Sequence, residues 1–541
     1  MLEIVLHYLI FLFIIYANGL LVQKVLINST EINLNFFEQS IMGLIGTGFI
    51  ALLINFFLPL NDLLIYLNLF LGIIFIYFSK DKFNFNYNKS SKLFIILFFL
   101  LSLASIYGSG FSDDLSHYHG GYITNTDNQK YIIGLNFLHY HYGYSSIWLI
   151  LHSYLNLNNS FLQDIHILNG IIFFLSIAYL FTENNEKSKY SSNYLLYLIS
   201  SIFIFFFLIK YTRLKEFGLD RPGILIYCFL IYFAVKYEFI IKKNLKDKEK
   251  FFFIILFICL FITSVKIFLL SCFLVPLVFI IKSKSYDFIF SKIICFFYLL
   301  ALCYFIKNIL ISGCLVYPFS FTCFSDLAWN SKEIASNLLL LTEASTKSYD
   351  GYLGSLNISE YINNFNWLST WFQRNIEEFN NYILTSLLVT LLFFASSKTK
   401  RSKIKFNYTT LTILLLFFIN IIIFLKSPVN RYHHVMFILF ALSLTILSNK
   451  SFVKKIFYFK LIIILLVFFN FAKNFKRIYE ANFYNNPYEH VKKIGWYRSP
   501  VEKKLESFTY FNGWIDGHPI GNMNLNKYNY KRKMGFDIIY K

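Results

Sequence analysis

FSDDLSHYHGGYITNTDNQKYIIGLNFLHYHYGY, Phe111–Tyr144, is a polar stretch inside a chain that is otherwise mostly apolar. It carries a carboxylate pair, Asp113 and Asp114, and four histidines, His117, His119, His139 and His141. An acidic pair in hydrocarbon costs about 2.5–3.5 kcal/mol per charge even on lenient insertion scales. On a water-exposed loop the same pair costs little. The stretch therefore reads as a loop at one face of a bilayer, and the apolar sequence around it as the helices that hold it there.

Composition agrees. Hydrophobic residues make up 57% of the 541 and charged residues 15%, against roughly 45–50% and 25% in soluble proteins. The expectation is an all-α transmembrane, polytopic helical bundle. The 50 Lys+Arg outnumber the 30 Asp+Glu, giving a net charge of +20, which in a soluble domain would suggest nucleic acid. Here the basic residues fall in short connectors between apolar runs, the pattern that sets membrane topology, so no nucleic-acid partner is expected. The 67 Phe and 40 Tyr accompany abundant Ile, Asn and Lys, a compositional bias rather than a set of stacking platforms. The chain is apolar almost from Leu2 and lacks the basic region and small-residue cleavage site of a signal peptide, so its start reads as a retained span.

A span needs about 20 mainly apolar residues, and about 13–14 candidates follow from that criterion. They lie near 2–23, 39–59, 63–79, 92–107, 161–181, 193–209, 222–241, 251–264, 267–281, 293–311, 381–395, 408–425, 432–448 and 457–472. Alternation puts the basic connectors, among them SKDKFNFNYNKSSK, KKNLKDKEK and SSKTKRSKIK, inside. The loops 108–160, 210–222 and 312–380 fall outside, as does the tail. The division is a transmembrane domain, 1–472, and a C-terminal tail, 473–541. One connector runs against the charge rule: KYTRLKEFGLDRP, 210–222, is basic yet assigned outside.

Polar features gather on the outer face: Asp113 and Asp114, the cations Arg213 and Lys215, Lys266 between two short apolar runs, and Arg431 with His433. Cations at a membrane surface suit a lipid phosphate. Carboxylates near a bound alcohol suit a general base, or can hold a metal. Plainer roles stand beside these. The acidic pair could be a solvated turn or helix cap, and the cations could anchor helix ends. His117-x-His119 and His139-x-His141 have strand-like spacing and neither is an HExxH. Interfacial hydrogen bonding is their plainer role and metal binding the sharper one, so no metal ligand is assigned. Five cysteines lie in apolar runs, whereas Cys314 and Cys323 share the loop 312–380. An oxidising exterior would join them in a disulfide.

An outer-loop acidic pair after an early span is similar to the C-type glycosyltransferases, which take sugars from polyprenyl-phosphate carriers. More closely, SDDLSHYHGGYI, GLNFLHYHYGYSSIWLILHSYL, LKEFGLDRPG, TSVKIFLL, SGCLVYPFSFTCF and SPVNRYHHV resemble a family of uncharacterised bacterial polytopic membrane proteins related to those transferases. The resemblance implies a bacterial inner-membrane protein whose active face is periplasmic. Its donor would be a polyprenyl-phosphate-linked sugar, and its acceptor a glycan, lipid or protein. Asp113 and Asp114 would be the catalytic pair. Lys266 and Arg431 would hold the phosphate, with His117, His119, Arg213, Lys215 and His433 as further substrate ligands. A divalent cation at the acidic pair stays open, and no other cofactor is implied. The tail departs from the relatives, offering only NGWIDGHPIGNMNL. A transporter or flippase for lipid-linked saccharides, or a polymerase or ligase of such saccharides, are the alternative readings.

Overall fold

A computed structural model describes residues 2–27, 31–79, 87–107, 114–155, 167–185, 194–214, 218–240, 245–400, 408–448 and 451–480, and in the tail 501–505, 508–512, 514–515, 518–519, 528–533 and 535–540. The helices in chain order begin with α1 (Leu2–Val22), α2 (Phe36–Ile54), α3 (Asp62–Ser79), α4 (Lys89–Tyr107), α5 (Gly120–Asn128) and α6 (Ile147–Tyr154). Next come α7 (Ile167–Asn185), α8 (Tyr194–Lys210), α9 (Asp220–Ile240), α10 (Leu245–Val265), α11 (Leu274–Ser283) and α12 (Lys292–Ser312). The chain continues with α13 (Lys332–Thr346), α14 (Ile358–Ile362), α15 (Leu368–Ala395), α16 (Tyr408–Lys426), α17 (His434–Leu447) and α18 (Ile456–Glu480).

Every apolar run singled out in the sequence contains helix. Eight helices among the described residues are long and apolar enough to cross a membrane: α1, α2, α4, α7, α12, α15, α16 and α18. That is fewer than the 13–14 expected. α3, α8, α17 and the run Ile267–Ser283 are apolar but shorter, and α10 spends its first turns on Lys246, Asp247, Lys248, Glu249 and Lys250. Large apolar side chains such as Phe70, Leu388, Phe418 and Phe468 are exposed on the bundle's flanks. Water would penalise that surface and lipid does not. The protein is a multi-pass membrane protein.

The packing is ordered from centre to rim. α7 is buried along nearly its whole length, whereas α12, α15, α16 and α18 bury one stripe each. α1 and α2 approach closely because each offers a glycine at the contact. A Cβ on Gly19 would stand 1.9 Å from the Gln39 carbonyl oxygen, and one on Gly43 1.8 Å from that of Ile15. Small residues of this kind let helix backbones meet where no hydrophobic force drives them together. α2 starts in a capping box in which the Asn35 side chain accepts from the Glu38 N–H at 2.9 Å and Glu38 Oε2 accepts from the Asn35 N–H at 2.9 Å.

Two ends can be told apart. At one, the connectors after α15 and α17 pair as short antiparallel strands, Ser397–Lys400 with Ser451–Lys454. Tyr197 of α8 donates to the Ser396 carbonyl at 2.8 Å there. At the other lie the segment 114–155, residues 211–214 and 218–219 between α8 and α9, Lys266, the 312–367 region and the α16–α17 connector. The tail's last hairpin, Asn529–Lys533 with Phe536–Tyr540, joins this second end through Ile133, whose N–H donates to the Asp537 carbonyl at 2.9 Å.

Three boundaries move. The segment 114–155 is not a solvated loop: its apolar residues Tyr131, Ile132, Leu135, Phe137 and Leu138 are buried, and α6 is buried throughout. α15 begins at Leu368, well before residue 381. α18 runs to Glu480, past the expected start of the tail, because Asn474 and Arg477 find partners in Ser105 and Thr212.

Candidate functional site

A π-helical turn, Leu115–His119, leads into α5 and delivers Tyr118 and His119 to a large polar cavity. The cavity has a volume of about 1790 Å³ counting its open mouth. Asp114, Asp220, Lys266, Arg431, Tyr432, Glu343 and Lys426 line it with them. It thus draws on segments separated by more than 300 residues, which meet only at this end of the bundle.

Lys266 breaks the run between α10 and the 3-10 turn Ile267–Phe273. It is not a free cation. Its ammonium pairs with the carboxylate of Asp220 at the start of α9 and lies 3.3 Å from the ring centroid of Tyr432. Arg431 lines the cavity with its side chain partly in solvent and donates from Nη2 to the Tyr432 hydroxyl at 3.1 Å. Burial works against its charge, while Tyr432, Asp220 and Asp114 outweigh that and hold its guanidinium firmly protonated. His119 is buried, and neither ring nitrogen has a hydrogen-bond partner. Burial pushes it down to about 4, although Asp114 and Asp220 pull the other way, so it stands as a neutral imidazole facing a cavity. The Tyr122 hydroxyl beside it is likewise buried and unpartnered.

The region 312–367 roofs the chamber. Cys314 and Cys323 form a disulfide, and Tyr317 within that loop packs on Tyr144 with ring centroids 5.6 Å apart. Glu343 of α13 ties the roof down, accepting from Lys347 at 2.7 Å and from Lys426 of α16 at 2.8 Å. Trp371 Nε1 donates to the Pro428 carbonyl at 2.8 Å.

Asp114, His119, Lys266 and Arg431 therefore come together, and three other candidates, Arg213, His433 and His117, do not line the cavity with them. Asp113 and Lys215 lie outside the described residues. Arg213 is half-buried near Arg477 and does not line the cavity. His433 is buried, its Nε2 2.9 Å from the Ser427 carbonyl and its ring against Phe268 and Phe424. Burial lowers it to about 4, and its place is in the connector's packing.

The histidines divide in a way strand-like spacing does not allow. On a helical turn residues two apart face roughly opposite sides, so His119 enters the cavity while His117 meets His139 and His141. Burial, with His141 and His117 as neighbours, lowers His139 to about 2; burial, with His117 and His119 outweighing Asp114, lowers His141 to about 3. Asp220, Tyr432 and Glu343 are site residues that the sequence analysis does not single out. Asp220 lies inside the quoted LKEFGLDRPG, directly before the Arg and Pro that open α9, and a carboxylate there was a signal for a partner to Lys266.

Fold and cavity together define a multi-pass helical membrane protein with a polar chamber at one end of its bundle. The chain belongs to the family described as a domain of unknown function (DUF8201), which matches residues 1–438 and so takes in every residue of the chamber. No curated protein and no solved structure matches the chain.

Proposed function

We propose that the protein is a membrane glycosyltransferase of the C-type kind, moving a sugar from a polyprenyl-phosphate-linked donor to a glycan, lipid or protein acceptor at the periplasmic face of a bacterial inner membrane. The observation that supports this reading best is the sharing of one cavity by a carboxylate, Asp114, and two cations, Lys266 and Arg431. In this scheme Asp114, with Asp113 as its neighbour in sequence, takes the proton of an acceptor hydroxyl. The acceptor oxygen bonds to the anomeric carbon as the bond from that carbon to the phosphate oxygen breaks. The departing polyprenyl phosphate keeps the electron pair. Arg431 receives its growing charge, a contribution of the kind that dominates many transfers. Lys266 contributes only as a member of its pair with Asp220, so Arg431 carries the larger share. His119, neutral and unpartnered, hydrogen-bonds the bound sugar.

The full chain in proteoliposomes, given a panel of polyprenyl-phosphate-linked sugars and an envelope extract as acceptor, tests the scheme by release of polyprenyl phosphate. Asp114→Asn and Asp113→Asn together should lower release by at least about 10²-fold with membrane insertion unchanged. Undiminished release in the double variant refutes the base. Passage of the intact lipid-linked sugar across the bilayer without cleavage would mark a transporter instead.

A further inference from the structure

The histidine trio has no part in that scheme. His117 comes from the π-helical turn before α5, His139 from extended chain with φ −159° and ψ 125°, and His141 from the 3-10 turn Tyr140–Tyr144 that follows. One nitrogen of each lies within 4.8 Å of one nitrogen of both others. The His117 ring stands nearly perpendicular to the other two, at 86° and 82°, so the three do not stack as a simple aromatic column. His139 is almost wholly buried, and its Nε2 has no hydrogen-bond partner, nor has His141 Nδ1. Buried ring nitrogens are ordinarily paired. Two left open in one cluster of three point to a ligand that supplies the missing bonds.

We propose that His117, His139 and His141 form a binding site for one divalent transition-metal ion of the zinc class. Three imidazoles without a carboxylate suit zinc, cobalt, nickel or copper and not magnesium or calcium, which require oxygen ligands. Three protein ligands also leave a tetrahedral ion one position for water or substrate. His141 is the link to the large chamber, which it also lines. His139 Nδ1 accepts from the backbone N–H of His141 at 3.2 Å, so the metal-free neutral ring carries its proton on Nε2. Binding at Nε2 moves that proton to Nδ1 and gives up the His141 contact. The contact is one long neutral hydrogen bond, small against the metal–imidazole bonds gained. The site stands independently of the transfer scheme, because its test reads metal and not turnover.

The full chain, purified in detergent with any affinity tag removed, is stripped with chelator, reloaded with zinc, desalted and assayed for bound metal. About one zinc per chain is expected, as for a single three-ligand site, with no retained magnesium. His139→Gln and His117→Gln should each weaken zinc binding at least about tenfold while eluting as the same monodisperse species. Cobalt(II) loading of the unmodified chain gives a reading that needs no variant: visible bands of a tetrahedral nitrogen site are expected. Stoichiometry below about 0.1 zinc per chain, cobalt spectra of a purely hydrated ion, or undiminished zinc in both variants overturns the site.

Discussion

Near the far end of α9, Lys236 sits between the buried Glu38, at 2.8 Å, and the part-buried Glu183, at 2.9 Å. Glu38 also accepts from the hydroxyls of Tyr179 at 2.8 Å and Tyr237 at 3.1 Å, and Glu183 from Asn35 at 2.7 Å. At the near end of the same helix, about 24 Å away at 1.5 Å per residue, the chamber holds comparable chemistry in a different condition. His119 and Tyr122 are buried there with polar atoms unpartnered, and Arg431 is solvent-exposed. Both groups are polar and enclosed by apolar helices, yet one is complete and the other is not. A closed network fixes helix register and has no bond left for a ligand. An open one costs stability in the empty protein, and recovers it when something binds. Incompleteness, rather than polarity, separates the site from the scaffold.

The largest expected effect breaks the closed network. Lys236→Met strands two carboxylates in the bundle and should cost about 3–5 kcal/mol, seen as a lower thermal midpoint of the detergent-solubilised protein or a loss of folded yield. Asp114→Asn, in the open group, should leave the midpoint within the range of a neutral surface change, about 0.5 kcal/mol. Equal midpoints for the two variants would remove the distinction drawn above.

A smaller effect lies in the roof. Replacing Cys314 and Cys323 by Ser frees a loop with a sequence separation of 9, worth about 2–3 kcal/mol in the chain-entropy account. Protease should then cut within 312–330 sooner, with the Lys236 end unaffected. Cleavage at the original rate would mean that Glu343 and its lysines hold the roof unaided.

The smallest effect is a pH dependence. His433, normally near 6.5, is lowered to about 4 by burial, with Lys266 acting in the same direction. Below pH 6.5 the unfolded chain takes up a proton there that the folded chain refuses, so the stabilising contribution is full above 6.5 and is lost as pH falls toward 4. The loss should be about 2 kcal/mol at most by pH 5. Thermal midpoints measured at pH 7 and pH 5 should differ less in His433→Gln than in the unmodified protein; an unchanged difference would show that His433 titrates normally.

Much of the fold was legible because membrane insertion is decided by local composition. Runs such as Tyr194–Lys210 and Tyr408–Lys426 announce themselves as helices whatever they pack against. Span length was read less well: charges in the first turns of α10 shorten what counts as apolar, and α6 is a short buried helix inside what looked like a polar loop. At the site, Asp114, Lys266 and Arg431 stood out as charges beside apolar runs. Arg213 and His433 carried the same local signal and do not line the cavity.

The amino-acid sequence by itself determined a multi-spanning helical bundle and which polar segments could not lie in hydrocarbon, since each is a sum of residue-by-residue transfer energies. Which charge meets which was settled only in three dimensions. Lys266 takes Asp220, 46 residues away, and Lys236 takes Glu38, 198 away. The division of His117 from His119 depended on a helical turn where the spacing suggested a strand. Pairing across such separations depends on how helices pack and turn, and no local pattern of residues encodes it.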